Sequence, residues 1–191
     1  MKIRDRIIQA CTELIAQRGL KSFTVDELAA QAGISKRTLY RYFPSKEAVI
    51  QAVLNRFMEE TAQHIDNVLA KEKNPVNIMH SVIQYLTGKA RFLNNSQVLS
   101  DFRQYYPYLW QQIDDFRTQK MGSVLQMIIT DNPNSLVQNM DPRIMIQVVL
   151  ASVQSVANPE FILKNNLTFE EVLRQLSYLL SSLLFTKGAP D

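Results

Sequence analysis

The sequence predicts an all-α protein, and three observations support this fold class. Only five glycines and seven prolines occur among the 191 residues. No segment of more than a few residues alternates apolar and polar side chains in the way that a half-buried β-strand does. Helix start and stop signals instead follow one another along the whole chain. We therefore expect a series of helices joined by short turns.

Composition and cysteine content exclude several classes of protein. The chain is 46% hydrophobic and 20% charged, as expected of a globular protein with a sizeable core. Its single cysteine cannot form an internal disulfide, and no Cys/His cluster has metal-site spacing. We therefore expect no disulfide scaffold, no metal site and no cofactor. The longest apolar stretches, 145–157 and 176–185, fall short of the roughly 18 to 20 residues that cross a bilayer. With no apolar secretory segment at the start, we expect a cytoplasmic protein without a membrane partner.

The first predicted helix covers about residues 2 to 18. Its apolar side chains recur every three or four positions and form one stripe, which consists of Ile3, Ile7, Cys11, Leu14 and Ile15. Gly19 follows the last turn, where a glycine in the left-handed conformation commonly ends a helix. The stripe predicts that this helix packs on a core by one face.

Capping residues mark the next three helix starts. Thr24 and Glu27 form a capping box, in which each side chain accepts a hydrogen bond from the backbone of the other. Ser35 is placed to cap a third helix, which ends before Pro44 because proline does not easily continue a helix. Ser45 caps a fourth, long helix. The apolar face of that helix carries Val49, Val53, Phe57 and Ile65.

Beyond residue 70 the same signals predict five more helices. Asn74-Pro75 and Asp141-Pro142 each combine an N-cap residue with a proline at the first helical position. Thr168 and Glu171 form a second capping box. The expected helices cover residues 75–93, 96–105, 108–131, 142–157 and 168–185.

Charge is distributed unevenly along the chain. Residues 1–57 carry ten basic and five acidic side chains, whereas residues 58–191 carry eleven and thirteen. A basic N-terminal module suggests that this part of the chain meets a polyanion. The densest basic run consists of Lys36, Arg37, Arg41 and Lys46. A solvated helix surface is the alternative interpretation of such a short run.

Residues 25–43 have the pattern of a helix-turn-helix, with two short helices separated by a tight turn. Gly33 permits the positive φ of that turn, and Ala29 is small where the two helices cross. The core between the helices is expected to contain Leu28, Ile34 and Leu39.

The second of these helices has the polar face of a DNA recognition helix. Lys36, Arg37, Thr38 and Tyr40 lie in its first two turns, the part that enters a major groove and reaches base edges and phosphates. For the aromatic residues Tyr40 and Tyr42, core packing is the alternative interpretation. Phe43 is expected in the core.

The stretch from Thr24 to Ala48 resembles the DNA-binding domain of the tetracycline-repressor (TetR) family of bacterial transcription regulators. The run from Tyr40 to Ala48, Tyr-x-Tyr-Phe-Pro-Ser-Lys-Glu-Ala, is the most specific part of the match. The resemblance implies contacts to bases or nearby backbone from Lys36, Arg37, Thr38 and Tyr40, and contacts to phosphates from Thr24, Tyr42 and Lys46. Asp26 departs from family members that carry a basic residue at this position.

The resemblance also implies the domain organisation and the partners. Residues 1–47 are expected to form a three-helix helix-turn-helix domain, and residues 48–191 a helical effector-binding and dimerisation domain. A homodimer would bind double-stranded operator DNA, and a small-molecule effector would bind the second domain.

The helices that begin near residues 143 and 169 are candidates for the dimer interface. The first is apolar on every side, and the apolar arc of the second is wider than one core contact needs. Pairing with their symmetry mates would form a four-helix bundle. The candidate interface residues are Val148, Ala151, Ser155, Val172, Leu176, Leu179 and Leu183. The alternative is that both helices belong to the core of the monomer.

Eight of the seventeen aromatic residues lie between positions 85 and 116. Such a density predicts an effector pocket for an apolar or aromatic compound, with ordinary core packing as the alternative for each residue. The candidate lining residues are Tyr85, Phe92, Phe102, Tyr105, Trp110 and Phe116. Three residues of this region, Arg91, Asp101 and Arg103, are expected to be surface charges.

The resulting hypothesis is a homodimeric repressor that a largely apolar effector releases from its operator. One alternative is an activator or a DNA-binding protein switched by a partner protein. Another is a helical enzyme or small-molecule binding protein, but no nucleophile and base, phosphate-binding glycine loop or metal cluster supports catalysis. An enclosed cavity in the second domain would favour effector control over partner control.

Overall fold

A computed structural model of the chain describes residues 2–131 and 141–185. These residues form ten α-helices and one 3-10 helix, and no β-strand occurs among them. The helices are α1 (Ile3–Arg18), α2 (Val25–Gln31), α3 (Lys36–Tyr42), α4 (Lys46–Lys71), α5 (Pro75–Lys89), the 3-10 helix (Arg91–Asn94), α6 (Ser96–Tyr105), α7 (Pro107–Asp131), α8 (Pro142–Val156), α9 (Pro159–Lys164) and α10 (Phe169–Phe185). The predicted all-α fold class is confirmed.

The predicted caps hold the helix ends. The capping box at Thr24 is complete, with its hydroxyl accepting from the Glu27 amide. Ser35 and Ser45 cap α3 and α4 through their side-chain oxygens. Asp141 caps α8, with a proline at the first helical position. Local sequence therefore fixes where most of these helices begin.

One predicted span was wrong, and one helix was not predicted. The helix expected over residues 75–93 ends at Lys89, and the 3-10 helix follows as a separate turn. A short helix, α9, was not predicted, although Asn158 caps it through its side chain and Pro159 opens it. Gly19 has the expected positive φ of 88°, but its ψ of 176° is extended instead of left-handed helical.

The packing order places α4 at the centre of the molecule. Its N-terminal half packs on α1, and it also contacts α5 and α7. The buried side chains Val49, Ile50 and Val53 of α4 join the core of the first three helices. The predicted domain boundary between residues 47 and 48 falls in the first turn of α4, which continues through it without a break.

The remaining helices enclose the other half of α4. α5 packs between α4 and α10, α7 packs on α8, and α6 lies against α9, α7 and α1. One apolar core extends through both halves of the molecule, and a smaller cluster forms around Leu125, Met145, Val149 and Leu180. Within the described parts of the chain, none of the helices is long and apolar enough to cross a bilayer.

Candidate nucleic-acid interface and second-domain cavity

The turn between α2 and α3 has the geometry of a helix-turn-helix. Gly33 has a φ of 64°. Its amide donates to Ala30 O, and the next amide, of Ile34, donates to Ala29 O, both at 3.0 Å. This pair of bonds is a Schellman motif, which satisfies the last carbonyls of α2 and reverses the chain. The predicted turn at Gly33 is therefore confirmed.

Arg6 of α1 fixes this turn from the side. One of its Nη atoms donates to Ala32 O at 2.6 Å and to Gly33 O at 3.1 Å. A Cβ atom at position 33 would lie 2.7 Å from the same nitrogen. The positive φ therefore favours glycine here, and a larger residue would also displace the Arg6 guanidinium.

The recognition helix α3 rests on the core by one buried residue and exposes its other face. Leu39 is fully buried, whereas Lys36 and Arg37 are exposed and Thr38 is half-buried. The Thr38 hydroxyl lies 2.9 Å from the Ser35 hydroxyl that caps the helix. The cations therefore lie on an open face, next to a helix start whose amides favour anions.

The aromatic residues at the end of α3 separate into surface and core. Tyr40 and Tyr42 are 45% and 38% exposed, and Phe43 is 4% exposed. The guanidinium carbon of Arg4 lies 5.2 Å from the centre of the Phe43 ring. Core packing is thus excluded for Tyr40 and Tyr42 and confirmed for Phe43.

Lys36 forms an ion pair with the acidic residue that departs from the family pattern. Its Nζ lies 3.0 Å from Asp26 Oδ2, and both side chains are well exposed. The hydrogen bond that Lys36 donates to Asp26, and the negative charge of Asp26, raise the pKa of Lys36, which stays protonated at neutral pH. Asp26 thereby places a negative charge beside the cations of α3.

Two of the predicted phosphate contacts have partners inside the protein. The Thr24 hydroxyl donates to Glu27 Oε2 at 3.0 Å as part of the capping box. Lys46 donates to Phe23 O at 2.6 Å and to Lys21 O at 3.3 Å. Burial lowers the pKa of Lys46. The Lys46 ammonium therefore ties the start of α4 to the loop before α2.

The second half of the molecule contains an apolar cavity of about 160 Å³. Its wall is formed by α4, α5, the 3-10 helix, α7, α8 and α10. Two cations, Arg117 and Lys120, lie at the wall. Arg117 Nη1 donates to Ala157 O at 2.7 Å, and its Nη2 pairs with Asp114. Burial lowers the pKa of Arg117.

Only part of the predicted aromatic set meets at this cavity. Trp110 and Phe116 belong to its wall, together with Phe57, Ile113 and other apolar residues. Tyr85, Phe92, Phe102 and Tyr105 do not belong to the wall. The Tyr85 ring stacks on His64 at 4.1 Å, Phe92 and Phe102 are buried in the core, and Tyr105 is exposed. The six predicted aromatic residues therefore lie in three places: the core, the surface and the cavity wall.

The residues predicted for the dimer interface separate in the same way. Val148 and Leu179 are 56% and 49% exposed, and Ala151 and Ser155 are also exposed. Val172 and Leu176 lie in the core of the protomer instead, and Leu176 lines the cavity, so a partner helix cannot reach them. The side chain of Leu183 lies outside the described residues. Ile144 and Tyr178 are exposed apolar neighbours on the same two helices.

One of the three residues expected to be surface charges, Asp101, is buried. Asp101 is 1% exposed and therefore buried, whereas Arg91 and Arg103 are exposed as expected.

Cys11 is fully buried, and this burial raises the pKa of its thiol to about 12. A thiol in this state is not a nucleophile at neutral pH. Among the residues that the structure describes, no three His, Cys, Asp or Glu side chains form a group that could hold a metal ion.

A helix-turn-helix with an exposed basic recognition helix, joined to a helical domain with an apolar cavity, defines a class of DNA-binding regulator. Residues 7–53 match the family described as bacterial regulatory proteins, tetR family. The uncharacterized HTH-type transcriptional regulator YvaF of Bacillus subtilis is 31% identical over 173 residues, which cover 90% of each chain. The chain therefore belongs to the tetR family and is a DNA-binding transcriptional regulator.

Solved structures share the whole fold. A TetR transcription regulator from Haloarcula marismortui aligns with a TM-score of 0.71 at 17% identity, covering 96% of this chain and 98% of that one. The reduced form of NemR from E. coli aligns with a TM-score of 0.69 at 19% identity, covering 98% of this chain and 100% of that one. At these identities the likeness concerns the fold alone.

Proposed function

We propose that the chain is a cytoplasmic homodimeric repressor, released from its operator by a small, largely apolar effector. The observation that carries the proposal is the double role of α4. Its first turn holds Lys46 beside the DNA-reading helices, and its middle contributes Phe57, Thr61 and Ile65 to the cavity wall. A molecule in the cavity therefore touches the same rigid helix that supports the DNA interface.

The proposed DNA contacts follow the exposed face of α3. Lys36, Arg37, Thr38 and Tyr40 would reach base edges or the adjacent backbone, and Thr24, Tyr42 and Lys46 would reach phosphates. The exposure of Arg37, Tyr40 and Tyr42 supports this assignment. Lys46 would need to share its ammonium between a phosphate and the two carbonyls that it already binds.

The exposed apolar surface of α8 and α10 supports the homodimer. Ile144, Val148, Ala151 and Ser155 follow one another at helical spacing along α8 and are all exposed. Tyr178 and Leu179 add exposed apolar area on α10. A self-complementary interface of two such helices per protomer would bury these side chains in a four-helix bundle. It would also set the distance between the two recognition helices.

The cavity supports control by a small molecule over control by a protein partner. Its volume of about 160 Å³ is close to that of engineered apolar cavities of roughly 150 Å³ that bind benzene. Trp110 and Phe116 provide aromatic surface, while Met79 and Met121 provide adaptable walls. The effector would therefore be compact and apolar, with Trp110 and Phe116 as its aromatic contacts among the predicted residues.

Repression would follow from geometry. A dimer reads two half-sites when its recognition helices are separated by about 34 to 36 Å or a multiple of that distance. An effector that moves α4 changes this separation, and effector and operator then weaken each other by a coupling of typically about 1 to 3 kcal/mol. The family resemblance supports repression over activation.

The test is selection of bound duplexes from a random pool at two salt concentrations, with the mass of the free and bound protein measured by sedimentation. We expect a palindromic consensus, a dimer on each site, and salt dependence in proportion to the phosphates contacted. Compounds that release the selected duplex would then be sought, with Trp110 emission reporting occupancy of the cavity. Sequence-indifferent, salt-sensitive binding by a monomer would contradict the proposal.

A further inference from the structure

Asp101 of α6 is the buried charged residue of the described chain, and its partners are unusual. Its side chain is 1% exposed. One carboxylate oxygen accepts from the backbone amide of Lys21 at 3.0 Å, and the other accepts from Gln97 Nε2 at 3.0 Å. A buried carboxylate is costly unless it is hydrogen-bonded, so these two bonds hold it in place. The first of them joins the second domain to the loop before α2.

The loop and α6 are packed in direct contact around this bond. A Cβ atom at Gly19 would lie 2.7 Å from Gln97 Cγ and 2.9 Å from Asp101 Oδ2. The Lys21 ammonium lies 3.5 Å from the centre of the Tyr105 ring, also on α6. Because the backbone of the loop contacts the side chains of Gln97 and Asp101 directly, we expect a shift of α6 to move the loop.

The loop of residues 19–24 continues along the chain into α2, the first helix of the proposed DNA interface. It ends at Thr24, the N-cap of α2. Lys46, at the start of α4, binds the carbonyls of Phe23 and Lys21. The loop is therefore hydrogen-bonded both to α6 and to the first turn of α4.

α6 also lies next to the cavity wall. Phe102, the neighbour of Asp101, is fully buried, and its ring centre is 5.7 Å from that of Trp110. Trp110 lines the cavity. Leu93, on the 3-10 helix just before α6, lines it as well. Only one packed side chain thus separates the cavity wall from the residue that carries the buried carboxylate.

We propose that Asp101 is the positioning residue that couples the cavity to the DNA-reading module, which consists of α1, α2, α3 and the first turn of α4. The coupling acts through its hydrogen bond to the Lys21 amide. A molecule that displaces Trp110 moves Phe102 and Asp101 with it, and the loop follows because the carboxylate holds its backbone. This inference rests on the proposed function for its regulatory meaning. The positioning of the loop by Asp101 is a separate claim, and it is testable without DNA.

The test compares the full-length chain with Asp101→Ala, Asp101→Asn and the control Asp115→Ala, which removes an exposed carboxylate from α7. Hydrogen exchange of the Lys21 amide is measured first, without DNA. We expect about tenfold or faster exchange in Asp101→Ala, because a hydrogen bond to a charged acceptor is lost. Asp101→Asn keeps one neutral acceptor oxygen, so its exchange rate should lie between those of the wild type and Asp101→Ala. The control should exchange at the wild-type rate.

The second measurement uses the duplex selected by the wild-type chain. DNA binding is followed by the anisotropy of the labelled duplex, and the state of the cavity wall by emission of Trp110, the only tryptophan in the sequence. In the wild type and in Asp101→Asn, Trp110 emission should change in parallel with DNA binding. In Asp101→Ala the duplex should still bind, but the emission change should fall by more than half.

The outcomes separate the two claims. Unchanged Lys21 exchange in Asp101→Ala overturns the positioning role, whatever the chain does with DNA. A wild-type emission response in Asp101→Ala overturns the coupling while the proposed function stands. Failure of the wild-type chain to select any duplex counts against the proposed function, and the exchange measurement still decides the role of Asp101. If Asp101→Ala does not fold, Gln97→Ala removes the other partner and should speed Lys21 exchange to a smaller extent.

Discussion

The DNA-reading module and the cavity are built by different interactions. In the module, four helix ends have a specific polar partner: Thr24, Ser35 and Ser45 cap the starts of α2, α3 and α4, and Arg6 binds the carbonyls at the end of α2. The cavity wall is made almost entirely of apolar side chains from six helices. Directional bonds fix a surface that must match DNA, whereas non-directional packing leaves room for a ligand.

The difference also separates rigid from adaptable parts. The turn between α2 and α3 is restrained by the two bonds of its Schellman motif and by the guanidinium of Arg6. Apolar walls that include Met79, Met121 and Leu180 can repack around different shapes at little cost.

The largest expected effect is a loss of operator affinity when the cations of α3 are removed. Replacing Lys36 and Arg37 together by alanine removes two exposed cations from α3. Each specific contact contributes about 1 to 3 kcal/mol, so operator affinity should fall on the order of 10²- to 10⁴-fold. Fluorescence anisotropy with the selected duplex measures it. The matched control replaces the exposed Arg91 and Arg103, which lie outside the module, and should bind within about threefold of wild type, whereas equal losses would disprove the assignment.

Replacing two glycines by alanine, Gly33 in the turn and Gly122 in α7, should change the free energy of unfolding in opposite directions. Gly33→Ala should lower the free energy of unfolding by about 1 to 2 kcal/mol or more, since position 33 has a positive φ and Arg6 occupies the space. Gly122→Ala in α7 meets nothing within 4 Å and should raise it by roughly 0.5 to 1 kcal/mol. Urea unfolding of both variants checks this. A stable Gly33→Ala variant would show that the turn is not as rigid as described.

The buried thiol gives a pH prediction. Burial holds the pKa of Cys11 at about 12, against an ordinary value of 9.0. The folded chain keeps this proton where the unfolded chain loses it, so stability falls as pH rises from about 9 towards 12. Cys11→Ala should show a shallower fall than wild type over that range in urea midpoints. At pH 8 the native thiol should not react with a disulfide reagent, and rapid labelling of native protein would contradict its burial.

The smallest expected effect sharpens the role of Asp26. Its ion pair with Lys36 is exposed, so Asp26→Asn should change stability by less than about 0.5 kcal/mol. It frees the ammonium of Lys36 and removes a charge that repels phosphates. Binding to random duplex DNA should therefore tighten, and the slope of log K against log salt should steepen by up to about one. Glu59→Gln, which removes an exposed acid from α4, provides the control. Identical salt slopes in the wild type, Asp26→Asn and Glu59→Gln would show that the charge of Asp26 does not affect DNA binding.

Local signals in the sequence predicted the module because each one involves neighbouring residues. The capping boxes, the serine caps and Gly33 each act within five residues, so their geometry follows from composition and spacing. The same kind of signal marks the start of α9, where Asn158 is followed by Pro159. The end of α5 at Lys89 comes one residue after Gly88, and a glycine in a predicted helix is a usable signal for its end.

The cavity could not be predicted in the same way, because its wall comes from helices far apart in the chain. Aromatic density pointed to the right region, yet Phe102 went to the core and Tyr105 to the surface. Asp101 lies three residues after the buried Val98 and beside Phe102, so its position on the apolar stripe of α6 was a usable signal. Its partner, the backbone amide of Lys21, has no signature in a sequence.

The most direct test of the central claim is a hydrogen-exchange map of the full-length chain with and without its selected duplex. The account predicts that the largest protection falls on residues 24–46, which contain α2, α3 and the start of α4. Smaller changes should appear in α6 and at Trp110. Protection concentrated on the exposed faces of α8 and α10, with α3 unchanged, would contradict the assignment of the DNA interface.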